Sequence, residues 1–196
     1  MNAGLEQAKR VARDELKATI AALRHDLDSI SHAVCSHIQS QTWWAEAATV
    51  MVFAPMPGEI DLGSLAISAI SGGKRVCVPR VDWASRSMSA VVVRRWPEDL
   101  VRGRHGVPEP GAGLALAEAS DLDVILAPGL GFDARGNRLG RGAGFYDRFL
   151  RSPGLRAVVA GVCPEAALRD VIPAGATDVP VRLLVTERRV LFCGGS

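Results

Sequence analysis

Leu126-Ala-Pro-Gly-Leu-Gly-Phe-Asp-Ala-Arg-Gly-Asn-Arg-Leu-Gly-Arg-Gly-Ala-Gly-Phe-Tyr-Asp-Arg-Phe-Leu150 carries more structural and chemical information than any other part of this 196-residue chain. Six glycines lie between Gly129 and Gly144, where average usage of about 7% would place roughly one in a segment of that length. Glycine lacks Cβ and tolerates positive φ, so Gly140-x-Gly142-x-Gly144 lets backbone N–H groups approach an anion closely. An apolar run ending near Leu126 precedes the loop. Behind it, Phe145 with Phe149 and Tyr146 with Leu150 form i, i+4 pairs, and Pro153 lies just beyond. Strand, glycine loop and helix start in that order is the anion-site arrangement of α/β proteins. Arg135, Arg138, Arg141, Arg148 and Arg151 set guanidinium groups around the loop, and these are bidentate donors suited to phosphate and carboxylate. The segment predicts a phosphate-bearing ligand. For Arg148 and Arg151 the competing explanation is that they complement the helix C-terminus.

No Gly-Lys-Ser/Thr ending makes a P-loop, and no Gly-x-Gly-x-x-Gly opens a first βαβ unit, so the residues alone stop short of naming a nucleotide. Asp147, one turn into the predicted helix, either holds Mg²⁺ together with phosphate oxygens or complements the helix dipole.

Working outward, Leu5, Ala8, Val11, Ala12, Leu16, Ile20, Leu23, Leu27, Ile30, Val34 and Ile38 recur mostly three or four apart, which is helical periodicity. Asp26 to Ser31 is rich in capping residues, which predicts two helices with a joint near Asp28 and Ser29. Beyond Trp43-Trp44 the texture changes to short apolar runs: Thr49 to Phe53, Arg75 to Val78, Val91 to Val93, Val124 to Leu126, Ala157 to Val162, Val181 to Thr186 and Val190 to Phe192. Continuous apolar strands suit a sheet covered on both faces, with helical pieces near Leu62 to Ile70, Gly144 to Leu150 and Pro164 to Leu168 as crossovers. The expected fold is therefore α/β. A single domain over residues 1–196 is predicted, with a central mostly parallel sheet, flanking helices and an N-terminal helical segment. Arg102 to Gly113 reads as a Gly/Pro-rich loop within that domain.

Composition excludes several classes. Apolar residues make up 48% of the chain and charged residues 22%, with 11 Pro and 20 Gly, so disorder and collagen-like repeats are untenable. Lys plus Arg exceed Asp plus Glu only by 23 to 21; nucleic acid and membrane are not expected partners. No apolar run reaches the 18 or so residues of a spanning helix. Cys35, Cys77, Cys163 and Cys193 are too widely spaced for a metal or redox motif, and no signal peptide is evident, so buried or idle thiols in a cytoplasmic protein are expected. His25, His32 and His37 read as surface or packing residues, and Trp43-Trp44 as core.

Pro128-Gly-Leu-Gly-Phe-Asp133 followed by Arg138-Leu-Gly-Arg-Gly-Ala-Gly-Phe-Tyr-Asp147 resembles the signature of the 5-formyltetrahydrofolate cyclo-ligase family, also called 5,10-methenyltetrahydrofolate synthetases. Lys9-x-x-x-Arg13, Glu59, Val78-Pro-Arg80, Val107-Pro-Glu-Pro110, Pro173 with Asp178, and Thr186-Glu187 extend the likeness over essentially the whole chain. The resemblance implies conversion of 5-formyltetrahydrofolate and MgATP to 5,10-methenyltetrahydrofolate, ADP and phosphate by one α/β domain, taken to be a monomer. By the same resemblance, Lys9, Arg13 and the run Arg138, Leu139, Gly140, Arg141, Gly142, Ala143, Gly144, Phe145 and Tyr146 bind ATP. Ala54, Glu59, Arg141, Gly142, Ala143, Gly144 and Phe145 line the folate site. Arg141 stabilises the transferred phosphoryl group, and Asp147 and Asp178 hold Mg²⁺, with thermal stability expected to depend little on either.

The chain departs from the family pattern at Ala166, where many relatives carry Gln, and at Arg182, where an acid is common. Phe145 stands where Tyr is frequent and His105 where a larger aromatic is. Two competing readings stand beside the cyclo-ligase: a sugar-phosphate isomerase-like α/β enzyme, which the Lys9/Arg13 pair argues against, and a non-catalytic folate or nucleotide binder, which Ala166 and Arg182 keep in play.

Overall fold

A computed structural model describes residues 3–103 and 106–194; His105 lies outside them. The helices are α1 (Ala3–Ala22), α2 (Leu27–Gln39), α3 (Thr42–Ala45), α4 (Gly63–Ser71) and α5 (Phe145–Phe149). The strands are β1 (Thr49–Met51), β2 (Arg75–Asp82), β3 (Ser87–Val93), β4 (Leu100–Arg102), β5 (Pro108–Pro110), β6 (Leu116–Ala117), β7 (Val124–Pro128), β8 (Gly131–Asp133), β9 (Arg138–Leu139), β10 (Val158–Val162), β11 (Leu168–Arg169), β12 (Leu183–Val185) and β13 (Val190–Phe192).

Strand alternation explains the layering. In β1, β2, β7, β10 and β12, alternate residues enter opposite cores. Val50, Val76, Val78, Val124, Leu126, Ala160, Val162, Leu183 and Val185 pack with α2, α3 and α4, while Met51, Cys77, Ile125, Ala127, Val159 and Leu184 pack with Leu16 and with Phe149 of α5. A strand buried on both faces must be apolar at every position, which is why these segments read as continuous runs. The five strands form the parallel centre of an eight-stranded sheet ordered β13-β12-β10-β7-β1-β2-β3-β6, with antiparallel pairs at both edges. The sheet departs from β1 in both directions, to β2 through α4 and later to β7 and β10. Such a reversal opens a crevice at the carboxyl ends of the strands.

Three expectations need correction. The helix joint falls at Leu23 to Asp26, before Asp28: Asp26 takes the N-cap position with no side-chain cap bond, and the apolar Leu27 and Ile30 pack into the core as α2 begins. Pro164 to Leu168 forms a short 3₁₀ turn over Glu165–Ala167, because Pro164 is extended (ψ 147°) and Leu168 already pairs with Phe132. The Arg102 to Gly113 segment contains β5, paired antiparallel with β4; prolines are tolerated there because a two-stranded ribbon has only edges.

Candidate functional site

A cavity of about 660 Å³ opens where β1 and β7 end, and Lys9, Arg13, Ala54, Glu59, the run from Arg138 to Asp147, and Asp178 all line it. The run behaves as its glycines require. Gly142 and Gly144 hold φ of +105° and +68°, values an L side chain rarely adopts. A Cβ at Gly131 would lie 2.6 Å from Leu16 Cδ1, so glycine there lets α1 settle on the loop. Leu16 is the one buried side chain of α1. Polar contacts supply the rest of its attachment: Lys9 Nζ donates to Asp178 Oδ2 at 2.6 Å, Arg13 Nε to the Gly140 carbonyl at 3.0 Å, and Arg169 Nη2 to Thr19 Oγ1 at 2.9 Å. Lys9 and Arg13 lie on one helix face as i, i+4 spacing demands, and both already have partners that fix their position.

Arg138 is 5% exposed in its side chain; its Nη2 donates to Asp147 Oδ2 at 3.0 Å and its Nη1 to the Pro128 carbonyl at 3.4 Å. Arg138 Nε and the Tyr146 hydroxyl are both buried with no hydrogen-bond partner among the described residues, and the Arg138 guanidinium stands 5.4 Å from the Tyr146 ring centre. Both residues line the cavity, while these two polar atoms are themselves shielded from solvent. Burial drives the Tyr146 phenol well above its ordinary pKa, so it keeps its proton as a donor. Asp147 Oδ1 also accepts the Val179 N–H at 3.2 Å. Burial pushes the Asp178 carboxyl up, but hydrogen bonds from Lys9 and the Gly175 N–H, with the charges of Lys9 and Arg138, outweigh it and hold the group below the usual carboxylate range.

Arg141 Nε donates to Glu59 Oε1 at 3.0 Å, and the Met56 N–H donates to Glu59 Oε2 at 3.0 Å. The loop that carries positive charge is thereby joined to the carboxylate that follows β1. The helix behind the loop spans only Phe145–Phe149, so arginines rather than a long helix dipole supply the positive field.

Some expectations are not met. Arg135 does not line the cavity and lies exposed in the turn between β8 and β9, so four of the five arginines reach it. Ala166 and Arg182 are exposed and do not line it either. Asp147 and Asp178 each form an ion pair inside the site, with Arg138 and Lys9 respectively, a structural tie that the sequence did not announce. Sequence reasoning missed Trp83, Arg86 and Met56, which also line the cavity; they come from turns that carry no motif, and only the tertiary fold brings them in. Glu109, quoted only as part of the Val107-Pro-Glu-Pro110 segment, lines it as well. It also missed Asp133, fully buried beneath the loop and bonded to the backbone N–H groups of Arg135, Asn137 and Ile172 and to Asn137 Nδ2. The histidines follow expectation: His25 and His32 are exposed, and His37 packs against the Thr186 carbonyl through Nδ1.

A mostly parallel sheet covered on both faces, with a basic glycine-lined cavity at its switch point, defines an α/β protein of the phosphate-binding, small-molecule class. The model of the 5-formyltetrahydrofolate cyclo-ligase family matches residues 5–187, and the chain belongs to that family. It is 36% identical over 144 residues to the 5-formyltetrahydrofolate cyclo-ligase of Mycolicibacterium smegmatis, covering 72% of this chain and 74% of that one. It is 33% identical over 158 residues to the mouse enzyme of the same name, covering 75% of each. The NMR structure of Aquifex aeolicus 5,10-methenyltetrahydrofolate synthetase is similar with a TM-score of 0.82 and 30% identity, over 96% of this chain and 94% of that one. A Mycoplasma pneumoniae 5,10-methenyltetrahydrofolate synthetase shares the fold with a TM-score of 0.73 at 18% identity, over 91% of this chain and 98% of that one. Among the described residues, no helix is long and apolar enough to cross a membrane.

Proposed function

We propose that this chain is an ATP-dependent ligase that closes 5-formyltetrahydrofolate to 5,10-methenyltetrahydrofolate with release of ADP and phosphate. The observation that carries the reading is the meeting of Arg141 with Glu59 in one cavity that also holds Lys9, Arg13 and the glycine run. The basic, glycine-lined wall and the Glu59 carboxylate face a shared space, which suits two different substrates.

The chemistry explains the need for ATP. The oxygen of an N-formyl group is a poor leaving group from its carbon. In the proposed reaction it attacks the γ-phosphorus, the bond to the β-phosphate oxygen breaks, and ADP departs. N10 attacks the carbon of the resulting iminium phosphate and loses its proton. The carbinolamine phosphate then expels phosphate, leaving the methenyl bridge. Little of this needs covalent help from the protein, and most of it needs positioning and charge stabilisation. Arg141 is assigned to the charge that develops on the transferring phosphoryl group. Glu59 is assigned to the donor-rich edge of the pterin, a charge-assisted pairing. Lys9 and Arg13 hold the triphosphate from α1.

Mg²⁺ fits the residues present. Among the described residues there is no cluster of three or more His, Cys, Asp or Glu that could hold a metal alone, but Asp147 and Asp178 face the same cavity, and both hydrogen bonds to Asp178 fall on Oδ2, leaving Oδ1 for a cation. One or two carboxylates completed by phosphate oxygens and water is the usual donor set for this ion. Bound with the triphosphate, it neutralises charge on the phosphate oxygens.

The test is direct. The purified chain, 5-formyltetrahydrofolate, ATP and Mg²⁺ are combined and the near-ultraviolet absorbance of methenyltetrahydrofolate is followed beside ADP. Product and ADP rising in equal amounts is expected. Absence of product, or product formed equally well without ATP, defeats the assignment.

A further inference from the structure

The geometry points to Arg148 as a positioning residue: it clamps the tip of the β2–β3 hairpin to the glycine loop and so fixes the loop peptides that receive ATP. The inference rests on the function proposed above and deepens it. Arg148 has no part in the roles assigned there, and the two nitrogens through which it bonds are given to backbone carbonyls.

Arg148 lies in α5 and joins two segments that are far apart in the chain. Its Nε donates to the carbonyl of Arg86, 62 residues away in the turn between β2 and β3, at 2.6 Å. Its Nη2 donates to the Ala143 carbonyl at 2.8 Å. A Cβ added at Gly144, where φ is +68°, would lie 3.0 Å from Arg148 Nη1, so the guanidinium rests against the loop backbone. It also stands 5.3 Å from the centre of the Phe145 ring, and that ring meets Trp83 of the same hairpin turn edge-on, with centroids 5.0 Å apart. One cation and one ring pair tie the same two elements. Arg86 completes the device. Its φ of 56° makes it the one non-glycine residue with positive φ among the described residues. Hairpin turns usually fill such positions with Gly, Asn or Asp, and a strained residue persists where its surroundings over-determine it. The carbonyl of this strained residue is the one that Arg148 holds.

The loop needs an outside hold because its own residues supply little. Gly140, Gly142 and Gly144 leave the backbone many conformations, and ordering such a chain at the moment of binding subtracts from affinity. A trans peptide points its N–H opposite to its carbonyl, so capturing a carbonyl also aims the N–H that follows it. Arg13 Nε, from α1, holds the Gly140 carbonyl at 3.0 Å, and Arg148 holds that of Ala143. Together they fix the directions of the Arg141 and Gly144 N–H groups within the stretch that lines the cavity. Arg13 grips the run where it begins and Arg148 where it ends. The sequence offered Arg148 as a phosphate fork or as a charge at a helix end; its contacts turn the fork onto backbone instead.

Titration calorimetry with MgATP, beside steady-state kinetics, tests the clamp. Arg148→Met weakens ATP binding about tenfold, the scale of one charge-assisted hydrogen bond. The effect falls on KM for ATP rather than on kcat, because bound ATP re-orders the loop. Arg148→Lys keeps the charge but not the planar fork, and weakens ATP nearly as much. A second pair of variants removes the Arg86 side chain both times and differs only in backbone preference. Arg86→Gly adopts the left-handed turn freely, whereas the β-branched side chain of Arg86→Val resists it and turns the carbonyl away from Arg148. Arg86→Val therefore binds ATP about fivefold more weakly than Arg86→Gly, and adding Arg148→Met to Arg86→Val lowers the affinity little further. The Arg86 pair carries the test even where loss of Arg148 destabilises the protein. Full ATP affinity in Arg148→Met or Arg148→Lys, a loss in kcat in place of KM, or equal ATP affinity in the two Arg86 variants overturns the clamp alone. A parent that binds no ATP overturns it together with the function beneath it.

Discussion

Asp133 and Asp147 belong to the same glycine-rich segment and end in opposite roles. Asp133 is fully buried, and its four hydrogen bonds come from three backbone N–H groups and one side-chain amide. Asp147 lines the cavity, and its Oδ2 pairs with the Arg138 guanidinium. A carboxylate surrounded by neutral backbone donors pins a loop in place. One that shares a cavity with cations adjusts the field a ligand meets. The glycine run therefore has a structural half, closed around Asp133, and a chemical half, open from Arg138 to Asp147.

The comparison predicts that variants of the chemical half lose turnover and those of the structural half lose the fold. Arg141→Ala lowers kcat by about 10²-fold or more with only modest loss of ATP affinity, because its charge matters most where phosphoryl charge develops. Steady-state kinetics within a few-fold of the parent would remove Arg141 from that role. Asp133→Ala orphans four donors and costs about 3 kcal/mol or more, allowing for non-additivity, equivalent to a fall in Tm of roughly 6–12 °C for a domain this size. Thermal unfolding unchanged from the parent would erase the structural half.

Glu59→Gln loses the charged partner of Arg141 and of the pterin, and raises the folate Kd about tenfold to a hundredfold while ATP binding changes little. Calorimetry giving equal folate affinity would contradict its assignment. Asp147→Asn weakens the tie to Arg138 and removes a proposed metal ligand, so a magnesium titration at saturating ATP and folate is expected to shift its midpoint upward. An unshifted midpoint would leave Asp147 as a partner of Arg138 only, on the structural side of the comparison.

The smallest effect concerns Asp178. Its pKa is depressed in the folded protein, so its contribution to stability is present above the ordinary carboxylate pKa and is lost as pH falls through the lower folded value. Asp178→Asn costs about 1 kcal/mol at neutral pH and flattens the acid limb of the stability profile below about pH 4. An acid limb identical to the parent's would show that the Lys9 contact carries no net stabilisation.

The sequence was most legible where one residue type had one purpose. Val124 to Leu126 and Ala157 to Val162 are apolar at nearly every position because both faces are covered, which makes the sheet centre legible, and Gly140, Gly142 and Gly144 mark the loop that lines the cavity. Short strands such as β9 (Arg138–Leu139) and β11 (Leu168–Arg169) were invisible, because two residues carry no periodicity and their pairing is decided by tertiary partners. Asp133 reads in the sequence only as part of a motif, since nothing local marks a carboxylate that will be enclosed by donors as distant as Ile172. Trp83 and Arg86 were missed because a hairpin turn far from the loop in sequence delivers them to its edge.

The account depends most on the cavity placing the γ-phosphoryl group of ATP on the formyl oxygen of the folate. Turnover of 5-formyltetrahydrofolate labelled with ¹⁸O in the formyl group, with mass analysis of the released phosphate, examines that transfer directly. The account predicts that the label leaves in inorganic phosphate, one atom for each ring closed. Unlabelled phosphate, with the label released to water, would contradict it.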